Sequence, residues 1–116
     1  MKTHIRSDEV QVEEIKPGLR RQILGYDSDL MLVRVYFDSG IVADKHKHYH
    51  QQVSYVEKGK FEVEIDGHKE VLNAGDCFII PSEAMHGAVC IEEGSLIDTF
   101  SPQREDFLEP TTESGY

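Results

Sequence analysis

The chain is short of cysteine, of positive charge, of long apolar runs and of helical periodicity. Its two cysteines, Cys77 and Cys90, do not form a Cys-x-x-Cys pair. Two thiols do not make a disulfide framework, and both read as small buried apolar side chains. Lys and Arg total 12 against 22 Asp and Glu, a formal net charge of −10. That deficit excludes a sequence-independent grip on nucleic acid, which needs a clustered positive surface. It also disfavours an anionic membrane surface. An acidic ligand would have to be drawn in by local positive charge, which a bound cation provides. No apolar stretch approaches the ~20 residues that cross a bilayer. The opening "MKTHIRSDEV" has no apolar signal core, so the expected location is the cytoplasm. With 116 residues the expectation is one domain, residues 1–116. The best candidate for a helical turn is "REDFL", 104–108.

What is present is a series of short apolar runs between turn residues. "LMLVRVYF" (30–37), "VSYV" (53–56), "EVL" (70–72), "CFIIP" (77–81), "HGAVCI" (86–91) and "SLIDTF" (95–100) are such runs. Phe61, Val63 and Ile65 alternate with Glu62, Glu64 and Asp66 and end at Asp66-Gly67. That pattern is a half-buried strand entering a hairpin turn. Short strands with turn signals every ~8–12 residues predict an all-β sandwich or barrel. Residues 1–12 have little apolar content and are expected to be an arm that orders on a partner subunit. The polar tail 109–116 is expected to fray.

The densest chemistry lies in "HKHYHQQ", 46–52. In an extended chain His46, His48, His50 and Gln52 share one face, with Lys47 and Tyr49 on the other. Imidazole is the commonest metal ligand and suits zinc, nickel, iron, copper and manganese. Another ligand must come from elsewhere, and His86 in "PSEAMHGAVC" is the obvious supplier. A purification tag is excluded by the mid-chain position, and nothing in the sequence requires a pH switch. His4 and His68 read as ordinary surface residues. Asp98 is an acid inside an apolar strand. It shares a face with Leu96 and Phe100, but parity alone leaves open whether that face is the lumen or solvent. Arg34, inside "LMLVRVYF", either meets a ligand carboxylate from inside or sits on the outer face as a plain charge, the second reading being slightly preferred. Met31 and Met85 read as packing.

Spacing adds to this. Gly40, His46, His48, Gln52 and Gly59 keep the pattern glycine, five residues, His-x-His, three residues, polar ligand, six residues, glycine. Gly75, Pro81 and His86 keep glycine, five residues, proline, four residues, His. The chain resembles the single-domain cupins, which carry these two motifs in this order; the likeness runs over about residues 30–107. The resemblance implies a small antiparallel double-stranded β-helix, a jelly-roll barrel, with one divalent transition metal ion near its mouth. Ni, Zn, Fe and Mn are the candidates. By match to the motifs the ligands are His46, His48, Gln52 and His86, and His50 stands behind them or at the rim. Three departures stand out: Gln52 for the commoner Glu, Glu83 for a frequent Gly, and Cys90 for a frequent Asn. Gln52 changes the chemistry most. An all-neutral donor set leaves the ion its full charge, which favours anionic ligands, although an amide binds more weakly than a carboxylate. Gln51 is the ligand instead if the strand bulges there.

The segment "DTFSPQREDF", with "IPSEAMHGAV" and "LMLVRVYFDSG", is similar to the small cupins that open unsaturated uronate rings, the unsaturated pyranuronate lyases of pectin and alginate breakdown. On matching positions Asp98 is the catalytic acid/base, Phe100 borders the sugar and Arg104 helps to bind it. The chemistry is coherent: removing the C1 hydroxyl proton of a 4,5-unsaturated uronate breaks C1–O5. A divalent metal stabilises the resulting enolate, and protonation at C4 gives the 5-keto-4-deoxyuronate. No organic cofactor is needed. The alternatives are a metal-dependent dioxygenase of a small molecule and a non-catalytic sugar or effector binder. The expected partners are a small anionic sugar and a second copy of the chain in a homodimer, with no nucleic acid and no membrane.

Overall fold

The computed structural model describes residues 1–108; the tail expected to fray lies outside them. Eight antiparallel strands follow one another: β1 (Glu13–Lys16), β2 (Leu19–Tyr26), β3 (Met31–Phe37), β4 (Val42–His46), β5 (Gln51–Ile65), β6 (His68–Asn73), β7 (Cys77–Ile80) and β8 (His86–Ser101). Short 3-10 turns occur at Ser7–Glu9 and Glu105–Leu108, the second within the run read as helical. Pairing arranges the strands in two layers. One runs β1-β2-β3, then the C-terminal half of β8, the N-terminal half of β5, and β7. The other runs β4, the N-terminal half of β8, the C-terminal half of β5, and β6. β5 and β8 cross from layer to layer, so the all-β jelly-roll architecture expected from the sequence is what forms.

The sequence pattern splits each of these two long strands in two, because "EKGK" and "EEG" look like turns. They are the bends at which the strands change layer. The β5–β8 register shifts between Val56 and Phe61. A Cβ on Gly94 would lie 1.9 Å from the Lys58 carbonyl oxygen, and one on Gly59, at φ +90°, 2.5 Å from that of Glu92. Only bare backbone lets the chains pass there. β1, β2 and β4 have no counterpart among the apolar runs. β2 buries Arg21 and Gln22 beside Leu19, which breaks the apolar alternation by which a strand is recognised.

Elsewhere the period of two holds. On β3, Met31, Val33, Val35 and Phe37 are wholly buried. Arg34 points outward, giving Glu57 two hydrogen bonds of 3.1 Å. Phe37 meets Phe61 edge to face at 5.0 Å between ring centres, a favourable aromatic geometry. Val56, Val63, Cys90 and Leu96 complete the apolar floor between the layers. Two packing expectations need correction. Cys77 is exposed, because Phe78 and Ile80 take the inward positions of β7. Met85 is exposed too, whereas Met31 is core. The N-terminal residues lie against their own chain: the Gln22 amide donates to the carbonyls of Ser7 and Val10.

Candidate metal centre

The inward rungs shared by β5 and β8 change character towards one mouth of the barrel. Val56 stands opposite Leu96, Ser54 opposite Asp98, and Gln52 opposite Phe100. All six are buried. The face of β8 that parity left undecided is therefore the lumen, and Asp98 is completely enclosed. Its neighbour on the other side, across β3, is Val33, which has no side-chain donor. Ser54 has one, and its hydroxyl donates to Asp98 Oδ1.

Three histidines meet beside Gln52. His46 ends β4 and His86 opens β8, opposite each other in register, with ring centres 4.4 Å apart. His48 comes from the loop between β4 and β5, its ring centre 4.9 Å from that of His86. One potential ligand atom from each lies within 4.8 Å of the others. The route to this cluster differs from the one expected. Residues 47–50 are not strand, so an extended face does not align the histidines. Strand pairing places His46 and His86, and the loop swings His48 over them. Lys47 and Tyr49 do point away into solvent. His50 belongs to the rim: its Nε2 meets Glu105 Oε2 at 3.2 Å, and its ring stacks on Tyr49, whose hydroxyl donates to Glu105 Oε1. Gln51 is exposed while Gln52 is buried, so Gln52 is the one facing the cluster. His4 and His68 are both surface residues.

The cluster is built to present nitrogen lone pairs. Nδ1 of His46 lies 3.0 Å from the Asp44 carbonyl, Nδ1 of His48 3.0 Å from that of His50, and Nδ1 of His86 2.9 Å from that of Ala84. A carbonyl only accepts, so each Nδ1 carries the proton and each Nε2 is left as a donor of electrons. His46 Nε2 is buried with no hydrogen-bond partner. Burial lowers the pKa of all three rings. His48 and His86 are brought to about 4, with help from the nearby Arg104 charge and from one another's neighbourhood. All three are thus neutral at neutral pH, the form that binds metals.

Gln52 completes the arrangement. Its Nε2 donates to Ser54 Oγ at 2.9 Å, so Oε1 is turned toward the histidines, 3.1 Å from His48 Nε2. Two lone pairs facing at that distance repel unless a cation lies between them. A half-buried, neutral set of nitrogen lone pairs with an amide oxygen beside it fits a divalent transition metal ion. Val63, Phe78 and Ile80 wall the same space, keeping it apolar.

The C-terminal segment closes one side. Phe100 lies edge to face with His48 at 5.8 Å. Arg104 is 3% exposed. Its guanidinium sits 4.1 Å from the Phe107 ring centre and 5.2 Å from that of Phe100. Asp106 holds it through two hydrogen bonds of 3.0 and 2.8 Å. The other face of this cluster is Arg21, 4.0 Å from the Phe107 centre. Sequence reasoning singled out neither Arg21, Asp106 nor Ser54. Ser54 had a signal: it shares parity with Gln52 and Val56 on a strand whose inward face is otherwise apolar. Glu83, standing where the second motif often has glycine, has φ +68°, and its N–H donates to the His48 carbonyl at 2.8 Å. The turn there needs a left-handed residue, and it holds the loop that carries His48.

Comparison with known proteins gives the family of the chain. The cupin domain family matches residues 33–99. The pectin degradation protein KdgF of Dickeya dadantii is 46% identical over 110 residues, spanning 93% of this chain and all of that protein. Among solved structures, KdgF from Halomonas sp. is 42% identical with a TM-score of 0.87, covering 92% of this chain and 99% of its own. An RmlC-like cupin from Shewanella frigidimarina is 48% identical with a TM-score of 0.88, covering 91% and 96%.

Proposed function

The chain belongs to the cupin family, and from its site we propose that it opens the ring of 4,5-unsaturated uronate monosaccharides to the 5-keto-4-deoxyuronate. A fold does not fix a reaction; the reading comes from what lines the lumen. The observation that carries it is a fully enclosed carboxylate, Asp98, joined through Ser54 and Gln52 to a neutral histidine cluster. Burial of such a group is costly and is characteristic of working sites. The likeness to proteins named for pectin degradation points the same way, since breakdown of pectin by elimination leaves unsaturated uronates.

In this reading His46, His48, His86 and Gln52 hold one divalent ion, which supplies Lewis-acid stabilisation of negative charge on the uronate oxygens. Asp98 takes the proton of the C1 hydroxyl as C1–O5 breaks, and the proton is returned at C4. Atoms and electrons balance with no redox partner. Phe100 borders the sugar ring and excludes water from it. Arg104, held by Asp106 against the Phe107 ring, adds positive charge for an anionic substrate. The proton-transfer role of Asp98 favours this reaction over a dioxygenase.

The chain also pairs with a second copy of itself in this reading. Leu32, Thr99, Val53 and Ile79 are successive cross-strand neighbours on the outer face of the first layer. Leu32 is 38% exposed, Val53 47% and Ile79 64%. Three exposed apolar side chains on neighbouring strands, with Thr99 between Leu32 and Val53, offer an interaction surface.

The test is incubation of metal-loaded protein with an unsaturated uronate monosaccharide. Loss of the ultraviolet absorbance of the conjugated alkene is the expected result. Unchanged absorbance with Ni, Zn, Fe and Mn in turn would refute the assignment, and oxygen uptake in its place would make the protein a dioxygenase.

A further inference from the structure

We propose that Ser54 is a positioning residue that selects which end of the Gln52 amide faces the metal. The inference rests on the reading of Gln52 as a fourth ligand and adds what makes it one. An amide has two ends of nearly the same shape, and only its oxygen ligates. A carboxylate, the commoner residue at this point of the motif, has no such ambiguity. The substitution of Gln for Glu therefore creates an orientation problem, and the fold must solve it.

Ser54 solves it with a single proton. Its hydroxyl lies between Gln52 Nε2, at 2.9 Å, and Asp98 Oδ1. Ser54 Oγ is the donor to Asp98 Oδ1, so the single hydroxyl proton goes there. The hydroxyl oxygen is then left to accept, and the only end of the amide that can donate to it is the NH2 group. The oxygen is directed by default at His48 Nε2. The opposite orientation would put the amide oxygen against the hydroxyl oxygen and leave an N–H facing the ion. All three residues are buried, so water does not stand in for a missing partner. The chain of bonds runs along one direction of donation, from Gln52 through Ser54 to Asp98, joining the metal ligand to the catalytic carboxylate. Register explains the placement: Gln52 and Ser54 are two apart on one face of β5, and Ser54 is directly opposite Asp98 on β8.

The experiment is a double-mutant cycle read by cobalt(II) binding. Ser54→Ala, Gln52→Glu and the double variant are titrated with Co(II), and dissociation constants and visible absorption spectra are recorded. Removing a group that orients a metal ligand typically costs ~10–100-fold in affinity. Ser54→Ala is expected to weaken Co(II) binding by about that factor in the Gln52 background and to alter the visible spectrum. With Gln52→Glu already in place, the same substitution is expected to change affinity by less than about threefold, since a carboxylate presents an oxygen whichever way it turns. Thermal melts of the metal-free proteins verify that each variant folds. An equal loss in both backgrounds, or no loss in either, would overturn the inference. Native protein that takes up no cobalt would overturn it together with the metal site. Uronate turnover is measured separately, so failure of the ring-opening assignment alone leaves these titrations standing.

Discussion

Replacing Asp98 with Asn removes one ionisable oxygen from the lumen. The side chain is completely buried, and the two residues have the same shape. The hydrogen bond from Ser54 to Oδ1 is retained, because an amide oxygen accepts as a carboxylate does. Val33 on the opposite strand is indifferent to the change. Folding stability should therefore stay within about 1 kcal/mol of the native protein, and the histidine cluster keeps its ion. What disappears is the group proposed to remove the C1 proton. General acid–base catalysis by one side chain is worth roughly 10²–10⁴-fold, or about 3–5 kcal/mol of barrier. In Asp98→Asn, kcat should fall by that factor while KM changes little. The assay is the initial rate of alkene absorbance loss, with metal content and a thermal melt measured on the same sample. A variant that is folded and metal-loaded and keeps kcat within about threefold of native would refute the role given to Asp98. A non-catalytic binder would show ligand affinity and no turnover in either protein.

Acid should destabilise the metal-free protein. His48 and His86 sit at about 4 in the fold against 6.5 in an unfolded chain, so the unfolded state takes up protons first. Their contribution is complete above pH 6.5 and is lost as pH falls towards 4, at no more than about 1.4 kcal/mol per unit for each ring, before solvent screening reduces it. Urea midpoints that do not fall faster in native protein than in His48→Asn/His86→Asn between pH 7 and 4.5 would contradict this. Glu83→Gly relieves a left-handed residue, at φ +68°, and should raise stability by about 1 kcal/mol; a lower melting temperature would speak against strain at that turn. Ile79→Asp places a charge on the most exposed of Leu32, Val53 and Ile79. Light scattering should show a native dimer reduced to monomer, and a native protein that is already monomeric removes the pairing proposal.

Much of the site was legible because its chemistry is written in residue types and spacing. Three imidazoles, an amide and two glycine-bounded motifs name a metal site before any fold is known, and alternation along β3 and the second half of β5 gives the sheet faces. Sequence could not see β5 and β8 as continuous strands, because the glycines that let them bend between layers are the same residues that usually end strands. Nor could it see β2, which buries Arg21 on its inward face and Gln22 on the other, under the N-terminal residues. Only tertiary structure put Asp98 in the lumen rather than in water, since period two gives two faces and pairing with Val33 and Ser54 chooses between them. The loop at 47–50 likewise decided that His50 turns to Glu105 while His48 turns inward. A local pattern fixes which side chains travel together; which of them meet, and across what distance, is set by contacts between strands far apart in the chain.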